Sequence, residues 1–392
     1  MSSSHFETQA IRHQMSRSAQ KEHSAPIYVT SSFLFDDAED ARALFAEEKE
    51  GNIYSRYSNP NNDEFIEKLC LLEGAETGIA TASGMAAMFT SIAAFVSQGD
   101  HIVASRSVFG STHQILTSLL PRWGVSHTYV DINAPMDQWE KAIRPSTKMI
   151  FLETPSNPAL DIIDLEAICQ LAKKHGVLVN VDNCFATPYL QNPIRLGADI
   201  VTHSATKFMD GQGRVLGGAI LTSKKLFPEI KFMARHSGPS MSPFHGWLLS
   251  KSLETLPVRM DRHCDNAMEL ARSLQEADGV REVRYPFLPT HPGYEVAKKQ
   301  MKKGGGLVTF ELEGGIEQGR KFLDSLRMIS LSANLGDTRT IATHPASTTH
   351  SKLTEAERQE VGITPGLVRV SAGLEHIDDI KNDILHALQA SK

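Results

Sequence analysis

Segments with strand and helix patterns alternate from about residue 64 to residue 207, and this alternation limits the possible folds more than any other feature of the chain. Short apolar runs such as "HIVASRS", "VSHTYVDI" and "VLVNVDN" predict strands, whereas "GMAAMFTSIAAFV" and "DLEAICQLAKKHG" predict helices. Such alternation predicts right-handed crossovers and a parallel sheet with helices on both faces.

The pattern changes near residues 250–275. "PFHGWLLSKSLETLPVRMDRHCDNAMELARSLQEA" predicts long helices that lead to the strands "GLVTFELEG" and "GLVRVSAG" and to a last helix after Leu374. The first 60 residues mix short apolar pieces with turn-forming residues and cannot form a core of their own. Because 392 residues are too many for one core, we expect three parts: an N-terminal arm over 1–60, a large domain over 61–253 and a smaller C-terminal α/β domain over 254–392.

Composition excludes several classes of function. The net charge of −6 gives no indication of a basic surface that would bind nucleic acid or an anionic membrane. The N-terminal residues lack the apolar region of a secretory signal, and no apolar run approaches the roughly 20 residues of a membrane span. The four cysteines have neither metal nor redox spacing, and His344 and His350 lack a third ligand and a helical spacing. We therefore expect a soluble, cytoplasmic α/β protein without a metal.

Four polar features fall where predicted strands end, which is where ligands collect in open α/β sheets. "TASGM" places Ser83 and Gly84 between a strand and a helix, and "TPSNP", "VNVDN" and "HSATK" place Asn157, Asp182 and Lys207 at three further strand ends. Each alone has a commoner explanation, namely a helix cap, a turn residue or a solvated lysine. Together they supply a phosphate site at a helix N-terminus, a carboxylate for a ring nitrogen and an amine that can form an imine.

Those three groups are what pyridoxal phosphate requires of a protein. Lys207 would form the imine, and the neighbouring hydroxyls of Ser204 and Thr206 would bind the phosphate. The glycines of "DGQGRVLGG" would keep side chains away from the cofactor.

At these residues the sequence resembles a known family. "YSRYSNP", "ETPSNP", "VDNCFATP", "DIVTHSATKFMDGQGRVLGG" and "RVSAGLE" resemble, in order, the motifs of the pyridoxal-phosphate-dependent enzymes of Cys/Met metabolism, and the similarity runs from about Ile27 to Leu388. The resemblance implies the type I, aspartate aminotransferase-like fold, with residues 61–253 binding the cofactor. It also implies a homo-oligomer with shared active sites, of which the tetramer is usual among relatives.

The resemblance further implies a role for each matching residue. Lys207 would hold the cofactor and later move protons, Asp182 would pair with the ring nitrogen, and Asn157 would hydrogen-bond the ring hydroxyl. The phosphate would be held by Ser83, the backbone at Gly84 and Met85, Ser204 and Thr206, and by Tyr54 and Arg56 of a neighbouring subunit. Arg369 would bind the α-carboxylate of the substrate.

Two departures from the family pattern bear on the substrate. Phe109 stands where relatives usually have a tyrosine stacked on the cofactor, so the stacking surface remains but an acid–base group is lost. This loss favours a substrate that expels a carboxylate, which leaves without protonation, and Tyr54 can supply part of the missing acid–base function in catalysis. Asn334 precedes "LGD" where relatives often have serine, and its backbone can still position the substrate carboxylate.

Within the family, "SRSVFGST", "GPSMSPFHGWLLSKSLETL" and "NLGDTRTIATHPASTTH" look most like the enzymes that replace the succinyl group of O-succinylhomoserine by sulfide. The motifs leave open an acetyl instead of a succinyl donor, cysteine instead of sulfide as the nucleophile, and a lyase that acts on cystathionine or methionine. Arg106 is a candidate for binding the second carboxylate of a succinyl group. A cofactor-binding regulatory protein is disfavoured because such a protein needs no substrate clamp like Arg369.

Overall fold

A computed structural model describes residues 4–348, 351, 354–360 and 362–392. The α-helices are α1 (Phe6–Arg12), α2 (Ala38–Phe45), α3 (Pro60–Glu73), α4 (Gly84–Ala93), α5 (Gly110–Gln114), α6 (Met136–Ala142), α7 (Leu165–His175), α8 (Thr187–Leu190), α9 (Phe227–Ser237), α10 (Pro243–Leu253), α11 (Leu256–Gln275), α12 (Tyr294–Gln300), α13 (Gly315–Ser325), α14 (Glu355–Glu360) and α15 (Ile377–Ala390). The strands are β1 (Thr77–Thr81), β2 (His101–Ser105), β3 (Ser126–Val130), β4 (Thr147–Glu153), β5 (Leu178–Asp182), β6 (Ile200–Ser204), β7 (Gly218–Thr222), β8 (Val280–Arg284), β9 (Leu307–Leu312), β10 (Ser330–Leu331), β11 (Ile341–Thr343) and β12 (Leu367–Ser371).

The larger sheet has seven strands in the order β1-β7-β6-β5-β4-β2-β3. The strands β2 to β6 pair in parallel, as the alternation predicts, but β7 runs antiparallel to both β6 and β1. The predicted large parallel sheet is therefore confirmed, and β7, which follows the glycine-rich run, is its one antiparallel strand. Residues 205–217 contain no helix, so the chain turns back beside β6 instead of crossing over.

Helices cover both faces of this sheet, and the strand residues alternate between them. Val179 and Val181 of β5 belong to the hydrophobic cluster that includes α7, whereas Met149 and Phe151 of β4 belong to the cluster that includes α4. Gly74 ends α3 with φ +84°, a left-handed conformation that glycine adopts readily at the end of a helix. The rigid, two-sided packing fixes where each strand ends.

The stretch "QILTSLLPRWG", which begins at the last residue of α5, does not continue as one α-helix. After α5 the chain forms a π-helical segment over Ile115–Leu119 and a 3₁₀ segment over Leu120–Trp123. Pro121 lacks the N–H that a continuing α-helix would need, so the regular hydrogen-bond pattern ends before it.

The second sheet has five strands in the order β10-β11-β12-β9-β8, and β12 lies antiparallel to both β9 and β11. Its core packs against α11, α13 and α15. Ile380, Ile384 and Leu388 of the predicted last helix are buried in that core.

The N-terminal segment is attached to its own chain at several points. The Phe6 ring packs edge-on against Tyr189 at 5.3 Å, and Trp247 Nε1 donates a hydrogen bond to the Ala25 carbonyl (2.8 Å). Further along, the Val29 and Leu34 side chains are 80% and 100% exposed. Contact of this arm with a neighbouring subunit stays a prediction. No helix among the described residues is long and apolar enough to span a membrane.

Candidate active site

Three neighbouring strands of the larger sheet end in polar residues at one edge. Glu153 at the end of β4 is in register with Asp182 at the end of β5, and Asp182 is in register with Thr202 of β6, which ends at Ser204. Because these strands are parallel, their carboxyl ends meet there, as the sequence predicted for Asp182 and Ser204.

Lys207 lies in the turn after β6, and its Nζ donates a hydrogen bond to the Asn334 side-chain oxygen at 2.8 Å. Burial lowers the pKa of Lys207 below its ordinary value, and the Arg369 guanidinium lowers it further. An amine with a lowered pKa is more readily neutral, as imine formation and proton abstraction both require.

The turn that carries Lys207 is held from the C-terminal half of the chain. The Arg259 guanidinium donates hydrogen bonds to the carbonyl oxygens of Phe208 and Met209. A Cβ on Gly336, at φ +75°, would lie 2.6 Å from the Phe208 nitrogen. These contacts fix the backbone that follows the lysine.

The glycines after Lys207 serve this packing, which differs from the predicted role of keeping side chains off a cofactor. A Cβ on Gly211 would collide with the Arg259 guanidinium, and a Cβ on Gly213 would lie 2.6 Å from Asp337 Oδ2. Both glycines have positive φ, at +70° and +67°, which side-chain-bearing residues rarely adopt.

The N-terminus of α4 forms a cradle for an anion. Ser83 caps the helix by accepting a hydrogen bond from the Ala86 nitrogen at 3.2 Å. A Cβ on Gly84 would lie 2.5 Å from Ser204 Cβ, so only glycine lets the helix end approach β6 this closely. Met85 follows in the first turn, where backbone N–H groups and the helix dipole favour a phosphate.

Thr206 lies beside this cradle, two residues beyond β6. Its hydroxyl accepts a hydrogen bond from the Gly217 nitrogen (3.1 Å) and lies 3.3 Å from the Gly217 carbonyl. The side chain thus closes the loop between β6 and β7, and its contact with a phosphate stays a prediction.

Two buried carboxyl groups lie side by side at the sheet edge. Asp182 is 6% exposed and its Oδ1 accepts a hydrogen bond from the Cys184 nitrogen at 3.1 Å. Burial raises the pKa of Asp182 from the ordinary 3.8 to about 7. Glu153 is 2% exposed, its Oε2 accepts from the Phe109 nitrogen at 2.6 Å, and its Oε1 has no hydrogen-bond partner among the described residues.

Arg369 of β12 reaches this edge from the second sheet. Its Nη1 donates to Asn157 Oδ1 (2.9 Å), and its Nη2 donates to the carbonyls of Asn334 (3.1 Å) and Ala333 (3.3 Å). The side chain is 5% exposed, Nε has no hydrogen-bond partner in the part of the chain described, and burial lowers the pKa to about 10. A buried guanidinium with a free N–H suits a carboxylate ligand.

Tyr54 and Arg56 contact each other, and Arg56 also contacts α9. Arg56 Nη1 donates to the Arg235 carbonyl at 2.5 Å, and its guanidinium lies 5.6 Å from the Tyr54 ring centre and 4.8 Å from that of Tyr57. Tyr54 is 41% exposed. The predicted reach of this pair into a neighbouring subunit's site, and the catalytic part assigned to Tyr54, stay predictions.

Phe109 directly precedes α5, and its side chain is 42% exposed. The Arg106 guanidinium lies 5.8 Å from the ring centre of Tyr129 on the outer strand β3. The structure thus places Phe109 at the carboxyl pair through its backbone, while the suggested succinyl contact of Arg106 stays a prediction.

His344 is buried and fully engaged, because Nδ1 lies 2.8 Å from Ser347 Oγ and Nε2 lies 2.8 Å from the Pro365 carbonyl. His350 lies outside the described residues. Within those residues, no group of three or more His, Cys, Asp or Glu side chains could hold a metal ion.

Sequence reasoning missed Glu153 and Arg259. Glu153 closes the apolar run "MIFLE" directly before "TPSNP", so the same strand-end argument that selected Asp182 could have found it. Arg259 gave no such signal, because a helical arginine 51 residues from Phe208 looks like a surface residue.

These residues fit pyridoxal phosphate. The unpartnered Glu153 Oε1, the helix N-terminus at Gly84 and the buried amine of Lys207 supply the polar groups that a phosphorylated aromatic ring requires. Asp182 would hold the ring nitrogen, and the α4 N-terminus would hold the phosphate. Together with the two sheets, they define a pyridoxal-phosphate-dependent enzyme of the type I, aspartate aminotransferase-like fold.

More specifically, the chain belongs to the Cys/Met metabolism PLP-dependent enzyme family, whose model matches residues 7–389. It is 43% identical over 385 residues to the O-succinylhomoserine sulfhydrylase of Pseudomonas aeruginosa, covering 98% of this chain and 95% of that protein. It is 45% identical over 370 residues to the L-methionine gamma-lyase of Porphyromonas gingivalis, covering 94% and 92%. A Campylobacter jejuni crystal structure that carries N'-pyridoxyl-lysine-5'-monophosphate superposes with a TM-score of 0.94 at 35% identity, covering 98% of this chain and all of that one.

Proposed function

We propose that this enzyme catalyses a γ-replacement in methionine biosynthesis that converts O-succinyl-L-homoserine and hydrogen sulfide to L-homocysteine and succinate. The observation that carries the proposal is Phe109, whose backbone is tied to the buried Glu153 carboxyl at 2.6 Å and which has no phenol. Expulsion of a thiolate benefits from a nearby acid, whereas succinate is a weak base and leaves unprotonated. The similarity to the Pseudomonas aeruginosa sulfhydrylase supports the same reaction.

Arg369 would bind the α-carboxylate of the substrate through its free Nε–H, since Nη1 and Nη2 already donate to Asn157 and Asn334. The substrate would thereby be oriented with Cα towards Lys207, whose Nζ is held by Asn334. When bound, pyridoxal phosphate supplies an electron sink at Cα.

Lys207 is placed to move protons along the substrate. Its lowered pKa favours the neutral amine, which can accept the Cα proton. The same amine can then shuttle protons at the neighbouring carbons, so that succinate leaves from Cγ and sulfide adds there.

The second candidate is a γ-lyase, since the Porphyromonas gingivalis L-methionine gamma-lyase is 45% identical to this chain. A lyase would release a keto acid from methionine or cystathionine instead of homocysteine from the ester. O-acetylhomoserine as donor and cysteine as nucleophile are the nearest variants of the proposed reaction.

The assembly proposed with this function is a homotetramer built from dimers. Tyr54 and Arg56 would complete the phosphate site of the neighbouring subunit, because arginine binds phosphate in a bidentate manner. The exposed Val29 and Leu34 of the same segment would then be covered.

A paired turnover assay tests the reaction. The loaded enzyme receives O-succinylhomoserine or O-acetylhomoserine, each with sulfide or cysteine, and separately methionine or cystathionine. We expect homocysteine from the succinyl ester and sulfide well above every other combination. Cystathionine as the main product would identify a synthase, and keto acid as the main product would identify a lyase.

A further inference from the structure

The carboxyl groups of Glu153 and Asp182 are the unusual feature of this site. Their Cα positions are register partners on β4 and β5, and their exposures are 2% and 6%. Within the described part of the chain, no lysine or arginine forms an ion pair with either carboxyl. Two buried acids therefore share a site without a side-chain cation of their own.

Two such groups cannot both be ionised at low cost, because each negative charge disfavours the other and burial disfavours both. A protonated ring nitrogen would bring one positive charge, which balances one carboxylate and leaves the second uncompensated. One of the two acids must therefore carry a proton for the site to be neutral.

The surroundings of the two groups decide which acid holds the proton. Both carboxyls accept backbone N–H groups, Asp182 from Cys184 and Glu153 from Phe109, so these contacts favour ionisation of each. His203 lowers the pKa of Asp182, and the protonated ring nitrogen that Asp182 would hold lowers it further. Burial and the Asp182 charge raise the pKa of Glu153 well above its ordinary value. Lys207 and the buried Cys184 thiol are the remaining titratable groups that share this surrounding. The proton belongs on Glu153.

We propose that Glu153 is a positioning residue that works as a neutral acid, holding the Phe109 backbone and leaving Asp182 as the single negative charge for the ring nitrogen. Phe109 is the N-cap residue of α5 and makes no side-chain cap, so the Glu153 oxygen at 2.6 Å from its nitrogen anchors the start of that helix. Because Glu153 is neutral, it adds no second negative charge beside that of Asp182. The inference rests on the cofactor and not on the proposed substrate.

Three variants separate the effect of a neutral side chain at position 153 from the effects of its volume and of its charge. Glu153→Gln keeps the size and an oxygen acceptor without a charge, Glu153→Leu keeps the volume without an acceptor, and Glu313→Gln makes the same chemical change on an exposed loop. We expect Glu153→Gln and Glu313→Gln to bind pyridoxal phosphate within about threefold of the wild type. We expect Glu153→Leu to weaken binding by about tenfold or more, since it removes the acceptor of the Phe109 N–H.

Two measurements without substrate complete the test. The pH midpoint of the visible absorption of the loaded protein should be unchanged in Glu153→Gln, because both residues are neutral. The infrared spectrum of the loaded wild type should contain the C=O stretch of a protonated carboxyl, and Glu153→Gln should lack it while Glu313→Gln keeps it. A wild type without that band, or a Glu153→Gln protein with a moved midpoint or the affinity of Glu153→Leu, would overturn the proposal. Since no substrate is used, this failure is distinct from a failure of the sulfhydrylase assay.

Discussion

Replacing Asn334 by alanine removes the only side-chain acceptor seen for the Lys207 amine among the described residues, at 2.8 Å from Nζ. A hydrogen bond of a neutral donor contributes about 0.5–1.5 kcal/mol, and about 1.4 kcal/mol corresponds to a tenfold change in rate. We therefore expect kcat to fall about two- to tenfold. The Asn334 backbone carbonyl still accepts from Arg369 Nη2 at 3.1 Å, so KM should stay within about threefold.

Steady-state kinetics with the ester and sulfide measure both parameters, and the absorption of the loaded protein confirms that the cofactor is bound. Asn382→Ala, an identical exchange on the exposed side of α15, is the matched control and should leave both parameters unchanged. A large rise of KM with an unchanged kcat would refute the reasoning, because the side chain would then serve substrate binding instead of Lys207.

Three further predictions concern Arg369, Phe109 and Asp182. Arg369→Lys replaces the planar guanidinium and its several N–H donors by a single ammonium, so KM should rise at least about tenfold while the cofactor absorption stays unchanged. An unchanged KM in steady-state assays would contradict the proposed binding of the substrate carboxylate by Arg369. Phe109→Tyr restores a phenol, so the ratio of keto acid to homocysteine, measured by product analysis, should increase. The raised pKa of Asp182, about 7 instead of 3.8, means that the folded protein binds the extra proton, so this contribution to stability is complete below about pH 4 and is lost as the pH rises through 7. Cofactor-free Asp182→Asn should therefore gain in Tm over the wild type as the pH is raised from 4 to 8, and should bind pyridoxal phosphate more weakly; a Tm difference independent of pH would argue against a perturbed Asp182.

The larger sheet could be predicted from sequence mainly where local patterns agree with the final structure. Runs such as "VLVNVDN" are apolar, β-branched and bounded by polar residues, so β5 and its terminal Asp182 were predictable. The strand β7 is different, because it begins at Gly218 directly after Gly217, and glycine has little intrinsic strand preference. A Cβ on Gly218 would overlap the Ser83 carbonyl, so close packing against the end of β1 requires glycine there.

The site was predictable as a set of strand ends but not as a network of contacts. Lys207 and Asn334 are 127 residues apart, and Arg369 and Asn157 are 212 residues apart. No periodicity predicts which side chains meet at such separations, since the meeting depends on how the two sheets pack. The backbone of Asn334 was expected to serve the substrate carboxylate, and the structure joins it to Arg369 while the side chain binds Lys207.

The contact of Arg259 with the turn after Lys207 sets a limit on protein engineering by recombination. Replacing the residues after Leu253 by the corresponding segment of a relative would change the proposed substrate-binding part, including Arg369 and β12. The larger sheet, which would hold the cofactor, would stay unchanged. The incoming segment must still have an arginine at position 259 and a glycine at position 336. Arg259 donates a hydrogen bond to the Phe208 carbonyl, and a Cβ at position 336 would collide with the Phe208 nitrogen. Chimeric libraries that keep those two positions should retain cofactor chemistry while they sample new substrates.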